Sequence, residues 1–246
     1  MKLTTRAKEA ALSLGLYRPA RALQRLLSGD SPAPHRALFS QFIKPGDLAF
    51  DVGANIGDRT DAMLSVGARV VAFEPQPKCA REVRARAGSD RLTVVESAMG
   101  SQVGQAELHL TSTHGWASLR PDWQRSDELG TMTVPVTTLD AEIARHGKPI
   151  FCKIDVEGYE AEVLKGLSTP VQALSLEFHC HSQGVGKVQE CLMLLSKLGS
   201  YEFNITAGET AELLLPDWIS MEALASSFPN CASPHPYGDI FARRTS

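Results

Sequence analysis

No apolar stretch in the 246 residues approaches the roughly 20 that a membrane-spanning helix needs. The first residues hold neither the continuous apolar core nor the small-residue cleavage site expected of a secretory signal. Cysteine is sparse: Cys79, Cys152, Cys180, Cys191 and Cys231 are odd in number, scattered, and never spaced as CxxC. That pattern argues against a zinc ribbon and a disulfide framework, and reduced thiols in a cytoplasmic protein are the simplest reading. There is no excess of positive charge either. At a formal net charge of -3 the chain gives no whole-protein reason to expect a nucleic-acid partner. Internal repeats and low-complexity tracts are also missing.

What is present is an ordinary globular composition, 43% hydrophobic and 22% charged, in a chain long enough for one domain with a full core. The first segment departs from that average. Leu12, Leu16, Leu23 and Leu27 recur at helical spacing, while Lys2, Arg6, Lys8, Arg18, Arg21 and Arg25 crowd the same stretch against Glu9. The simpler reading is a helix, broken near Pro19, that packs over the edge of the main domain. The alternative is peripheral contact of residues 2–27 with an anionic membrane surface, at its inner face. Residues 28–35 are rich in turn formers and read as a linker, so the expected organisation is an appendage over 1–35 and a main domain over 36–246.

Within the main domain, apolar runs at 48–52, 69–73, 92–96, 150–154 and 173–178 read as strands. Helical patterns at about 58–66 and 77–87 separate the first three, which makes those strands parallel. Further helices are expected at 36–43, 158–166 and 185–198, and two more strands at 201–205 and 238–243. Between the third and fourth strands, 106–110 and 133–136 alternate as edge strands do. They bracket a polar loop, so 106–136 reads as an insertion near the carboxyl edge of the sheet, where loops usually meet substrate. The expected fold class is α/β: a doubly wound, mostly parallel seven-stranded sheet, Rossmann-like, with a terminal antiparallel strand pair.

The most informative stretch is Phe50-Asp51-Val52-Gly53-Ala54-Asn55-Ile56-Gly57, followed by Val70-Val71-Ala72-Phe73-Glu74-Pro75. A strand running into a glycine turn, and a second strand ending in a lone carboxylate, suit a nucleoside cofactor: backbone at one end, Glu74 for ribose hydroxyls at the other. Gly53 and Gly57 let backbone approach a ligand with no β-carbon in the way. The third glycine of a dinucleotide fingerprint is missing, with Ala54 and Asn55 in the central positions, so the usual diphosphate cradle is absent. Asp51 would repel phosphate yet attract an ammonium group. A cofactor with an amino-acid end fits that charge better than a dinucleotide does, and S-adenosylmethionine is the natural candidate. Ser97, Ala98 and Met99, after the third strand, stand where an adenine would lie between small and apolar side chains.

With these residues in place, the chain resembles the FkbM family of S-adenosylmethionine-dependent methyltransferases. The resemblance is carried by Asp51-Val-Gly-Ala-Asn-Ile-Gly57, Ala72-Phe-Glu-Pro75, Ala117-Ser-Leu119, Thr138-Leu-Asp140, Lys153-Ile-Asp-Val-Glu-Gly-Tyr-Glu160 and Ser175-Leu-Glu177. It runs from about residue 46 to 180, and its most family-specific part is Lys-Ile-Asp-Val-Glu-Gly. It implies a class I methyltransferase fold and, usually, methyl transfer to a hydroxyl oxygen of a sugar or natural product. Residues 1–35 and 182–237 carry no part of it, so the identity of the small-molecule or glycan acceptor does not follow.

A hydroxyl is a poor nucleophile at neutral pH, so a general base is expected at the ends of the fourth and fifth strands or on the inserted loop. Asp155 and Glu157 follow the fourth strand. One of them is placed to orient the methionine end while the other takes a proton; alternatively, Glu157 caps the next helix. Glu177 and His179 share one face at the end of the fifth strand, with Glu177 towards the substrate and His179 in a range suited to base chemistry. His114 is a further base candidate, and Trp116 and Ser118 beside it are candidate acceptor contacts, the indole as a platform for a sugar ring. Asp155, Glu157, Glu177 and His179 also offer enough oxygen and nitrogen for a divalent cation. Their spacing is no metal motif, however, and a metal-free reaction is the favoured expectation. Two other functions stay open: N-methylation, against which Asp155-Val-Glu-Gly replaces the expected Asn/Asp-Pro-Pro-Tyr/Phe, and a non-catalytic cofactor-binding module in a glycan-assembly complex.

Overall fold

The computed structural model describes residues 33–85, 90–120, 122, 126–179, 182–227 and 237–245. The basic leucine-rich segment 2–27, the linker up to residue 32, Cys180, His181 and Cys231 lie outside them. Among the described residues no helix is long and apolar enough to cross a membrane. Cys79, Cys152 and Cys191 are buried and form no disulfide among the described residues.

The chain opens with helix α1 (Ala33–Phe39) and continues through β1 (Leu48–Val52), α2 (Asp58–Val66), β2 (Arg69–Phe73), α3 (Pro77–Ala85) and β3 (Leu92–Val95). Then come β4 (Ala98–Met99), β5 (Gly104–Thr111), a 3-10 turn (His114–Trp116), β6 (Glu128–Thr137) and α4 (Leu139–His146). The remainder is β7 (Phe151–Ile154), α5 (Glu160–Lys165), β8 (Ala173–His179), α6 (Ser182–Leu198), β9 (Tyr201–Ile205), α7 (Met221–Ser227) and β10 (Tyr237–Arg244). The main sheet has seven strands in the order β3-β2-β1-β7-β8-β10-β9. β3, β2, β1, β7 and β8 are parallel. β10 runs antiparallel between β8 and β9. This is the class I methyltransferase arrangement, and the antiparallel member of the last pair lies inside the sheet, not at its edge.

Apolar residues alternate along the strands and so divide the core between the two faces of the sheet. Ala49, Val70, Phe151, Ala173 and Phe241 pack with α1 and α2 through Leu38, Phe39, Ala62 and Met63. Phe50, Val52, Phe73, Ile154 and Leu176 face the other way and meet Leu139 of α4, Val163 and Leu164 of α5, and Leu192 and Leu195 of α6. From β1 the chain winds outward through β2 and β3, then returns to place β7 on the other side of β1. The crevice above the carboxyl ends of β1, β2 and β7 is the topological switch point at which such sheets bind ligands.

Both expected strands of the insertion are present and extend beyond their expected bounds. Residues 104–111 and 128–137 pair as a long antiparallel hairpin, and β4 joins β6 in parallel to make a separate three-stranded sheet. Of the stretch expected to be loop, residue 111 and residues 128–132 are strand and the other described residues are not. Ala98, Leu108, Leu119, Val134 and Val136 form the small core that seats this sheet beside the cleft.

Candidate active site

A cleft of about 640 Å³ opens at the switch point, a size that suits a cofactor together with part of a substrate. Its donor end is built by the β1–α2 turn, where Gly53 (φ 79), Asn55 (φ 51) and Gly57 (φ 85) are all left-handed. A β-carbon on Gly53 would lie 1.8 Å from the Asp155 carbonyl oxygen. The missing side chain thus serves the close approach of the β7 end before it serves any ligand. Glu74 is 3% exposed, and its two oxygens accept from the backbone N–H of Asn55 at 2.8 Å and of Gln76 at 2.9 Å. The Gln76 side chain adds a third hydrogen bond to this carboxylate, whose four lone pairs leave room for a hydroxyl donor. Burial pushes the Glu74 carboxyl up to about 7, against the pull of those two N–H groups. Ala54, Phe73, Pro75, Ser97, Ala98 and Met99 line this end as well.

Asp51 does not line the cleft, which corrects the expectation that it meets an ammonium group directly. Strand alternation turns it with Ala49 towards α2, where Thr60 Oγ1 donates to its Oδ2 at 2.5 Å. Its Oδ1 is buried with no hydrogen-bond partner among the described residues. Burial raises its pKa, and Lys153 and the Thr60 hydroxyl offset that only in part. Gly57 also stands back from the cleft wall, as the residue preceding α2.

At the other end, β7 and β8 deliver the acidic residues. Lys153 is 3% exposed and donates to Asp155 Oδ2 at 2.7 Å. Burial opposes its charge, yet Asp155, Asp51 and Asp239 together raise its pKa. Burial likewise acts to raise the Asp155 carboxyl, but the charge and hydrogen bond of Lys153 carry it below its ordinary value. After Asp155 the chain makes a strained turn at Glu157 (φ 54) and Gly158 (φ 85). Glu160 closes that turn, its Oε1 accepting from the N–H of Val156 at 3.1 Å and of Gly158 at 3.0 Å. Glu160, not Glu157, therefore satisfies the donors ahead of α5, and Glu157 lines the cleft.

Glu177 and His179 end β8 two residues apart, with His179 Nε2 3.3 Å from Glu177 Oε2. Tyr237, the first residue of β10, is paired with His179 and stacks on its ring at a centroid distance of 6.2 Å. Burial, followed by the like charges of Asp155, Glu157 and Glu160, holds the Glu177 carboxyl well above its ordinary value. Of the predicted acceptor contacts, Trp116 stands at the rim and is 43% exposed. Ser118 also lines the cleft, but it is 1% exposed and its hydroxyl donates to the Glu157 carbonyl at 3.0 Å. Its geometry is that of a brace for the strained turn and not that of an acceptor ligand. The backbone of His114 lies in the 3-10 turn; its side chain is outside the described residues.

The structure thus gathers Gly53, Ala54, Asn55, Glu74, Pro75, Ser97, Ala98, Met99, Trp116, Ser118, Asp155, Glu157, Glu177 and His179 around one cleft. Sequence reasoning missed Lys153, Glu160, Arg59, Tyr159 and Tyr237. Lys153 had a readable signal: a lysine inside an apolar strand needs a buried counter-charge. Arg59 lines the cleft and donates to Glu209 at 2.6 Å. Tyr237 arrives through tertiary pairing alone, which no local pattern reveals.

A seven-stranded sheet of this order, with a buried carboxylate after β2, defines a class I methyltransferase fold. The sequence profile of the FkbM methyltransferase domain matches residues 51–201, more than half of the chain, and the chain belongs to that family. It is similar to the hexuronic acid methyltransferase AglP of Haloferax volcanii, 33% identical over 138 residues that make up 52% of this chain and 53% of AglP. It is also similar to the 2-O-methyltransferase NoeI of Sinorhizobium fredii, 29% identical over 152 residues, 54% of this chain and 62% of NoeI. The chain therefore aligns with little more than half the length of each relative. Among solved structures, a TehB-like S-adenosylmethionine-dependent methyltransferase of Corynebacterium glutamicum superposes with TM-score 0.48 at 10% identity, over 92% of this chain and 96% of its own.

Proposed function

We propose that the protein transfers a methyl group from S-adenosylmethionine to a hydroxyl oxygen of a carbohydrate, glycoconjugate or related natural product. The observation that carries this reading is the division of one cleft into two ends. Glu74, with room left for a ribose hydroxyl, stands at the first; Glu157, Glu177 and His179 converge at the second. The two relatives, one named for hexuronic acids and the other for 2-O-methylation, support a sugar as acceptor.

The residues divide the work as follows. Glu74 accepts from the ribose hydroxyls, Ala98, Met99 and Phe73 flank the base, and the β1–α2 turn with Asp155 receives the amino-acid end. When bound, S-adenosylmethionine supplies an electrophilic methyl whose bond to sulfur breaks as a bond to the acceptor oxygen forms, leaving a neutral thioether. Trp116 offers an apolar face to the acceptor ring. Asp155 is engaged by Lys153 and Glu177 favours its protonated form, so removal of the hydroxyl proton falls to Glu157 or His179.

Incubation with methyl-labelled S-adenosylmethionine and a panel of hexuronic acids and glycans bearing free 2-hydroxyls tests the proposal. Label is expected on a hydroxyl oxygen. Transfer to amines only would establish the N-methyltransferase alternative. Tight S-adenosylhomocysteine binding without turnover on any acceptor would point to the non-catalytic module.

A further inference from the structure

We propose that Glu157, Glu177 and His179 form a binding site for one divalent cation at the acceptor end of the cleft, where the ion would engage one hydroxyl, or a vicinal pair, of the acceptor. The part the ion plays in the reaction rests on the methyltransferase reading; its binding to the protein does not.

Four observations carry the proposal. First, one carboxylate oxygen from each glutamate and one imidazole nitrogen lie within 4.8 Å of one another. Ligands about 2.1 Å from an octahedral ion are about 3.0 Å apart when adjacent and about 4.2 Å apart when opposite. The 3.3 Å between Glu177 Oε2 and His179 Nε2 is close to an adjacent pair. Second, Glu177 Oε2 is buried and meets no donor of its own among the described residues, while the Glu177 carboxyl stands within hydrogen-bonding reach of the Asp155 carboxyl. Two carboxyl groups that close resist ionising together unless a proton or a cation lies between them.

Third, the charges that act most strongly on Glu177 are of one sign. Asp155, Glu157 and Glu160 all act on it, and the buried cation of this region, Lys153, is committed to Asp155. Fourth, the ligands sit on rigid supports. Glu177 and His179 lie on β8 just beyond its pairing with β7, which ends at Leu176, and are held in register by β10 opposite Asp239 and Tyr237. The left-handed turn at Glu157 is braced by Ser118 and closed by Glu160. No spacing rule links residues 157, 177 and 179. They meet because β7 and β8 are adjacent and β7 ends opposite Leu176, just before Glu177, which is why a metal-free reaction is the expectation from sequence.

Two carboxylates and one imidazole suit a hard or borderline ion such as Mg²⁺, Mn²⁺ or Zn²⁺, and three protein ligands leave positions for hydroxyls and water. An ion there would lower the pKa of a bound hydroxyl and fix its direction towards the donor end, the proton passing to solvent water. With the ion bound, Glu157 and His179 serve as its ligands, and their role as base belongs to the metal-free protein.

The test is titration of the metal-stripped full chain with Mn²⁺, followed by calorimetry and by the loss of the free-ion electron paramagnetic resonance signal, with S-adenosylhomocysteine present. One Mn²⁺ per chain is expected. Glu177→Gln and His179→Ala should each weaken binding at least about tenfold while leaving S-adenosylhomocysteine affinity in place; Glu157→Gln replaces either variant if it fails to bind that nucleoside. Absence of saturable binding up to about 1 mM, or equal binding by the variants, overturns the site. Full-rate methyl transfer by chelated protein overturns the ion's role and leaves the methyltransferase reading intact. Stoichiometric Mn²⁺ binding without any hydroxyl methylation upholds the site and overturns that reading.

Discussion

Lys153 Nζ lies 2.7 Å from Asp155 Oδ2 in a position that is 3% exposed, and Asp51 and Asp239 share its charge from within the same buried cluster. This lysine ties the foundation of the donor end to the wall of the acceptor end. Removing it leaves three carboxylates without their common counter-ion. Lys153→Met is expected to cost about 3–5 kcal/mol, the usual penalty for breaking a buried pair from one side. Chemical denaturation measures it, and a loss below 1 kcal/mol would show that the cluster is neutralised in some other way.

Glu74 predicts a pH dependence of donor binding. Its carboxyl is raised from 4.5 to about 7 in the ligand-free protein, so folding favours the protonated form. Its contribution to stability is fully present below about 4.5 and is lost as pH rises to about 7. Ribose hydroxyls need an acceptor, and they favour the ionised form. S-adenosylhomocysteine affinity should therefore increase as pH rises through about 7 and then level off. Glu74→Gln should flatten this profile and weaken binding by about 10- to 100-fold, read by calorimetry across the pH range.

Glu157 and Asn55 are the only residues other than glycine with positive φ among the described residues, and both line the cleft. Left-handed backbone costs an L-residue such as glutamate about 1–2 kcal/mol. Glu157→Gly should raise the melting temperature, by up to about 1 kcal/mol of stability once glycine's greater chain entropy is subtracted, while turnover is lost. A variant both less stable and inactive would show that the carboxylate, not the backbone, dominates folding at this position.

Gly53 should tolerate no side chain. Alanine would place its β-carbon against the Asp155 carbonyl in a backbone with φ 79. Loss of soluble expression, or destabilisation by at least about 2–4 kcal/mol, is expected for Gly53→Ala, compared by thermal melts. Near-normal stability would mean that the β1 and β7 ends can separate without cost.

The parts of the architecture legible in the sequence were those whose signal is local. β1, β2, β9 and α2 coincide with their predicted bounds, because short apolar runs between glycine, proline and charged turns leave little choice of boundary. The long hairpin was harder to see. Much of β6, including Glu128, Leu129, Gly130 and Thr131, is exposed and carries no apolar period. The two-residue β4 and helix α7 within 205–237 were also missed. Glu74 could be read because a carboxylate at the end of a buried strand is conspicuous. The inward turn of Asp51 follows from alternation, but its partner Thr60 became visible only once α2 was laid over the sheet. Ser118 and Glu160 were quoted as parts of a motif; that they brace one turn from opposite sides is a fact of distance, not of spacing.

The antiparallel course of β10 makes one wall of the cleft depend on strand register. Because that strand enters the sheet at the cleft, it brings Tyr237 against His179, and its Asp239 acts on Lys153. A slip of one residue in the pairing of β10 with β8 would turn both of these side chains to the opposite face of the sheet, so this wall of the cleft exists only in the register that sets Tyr237 against His179 and Asp239 against Glu177.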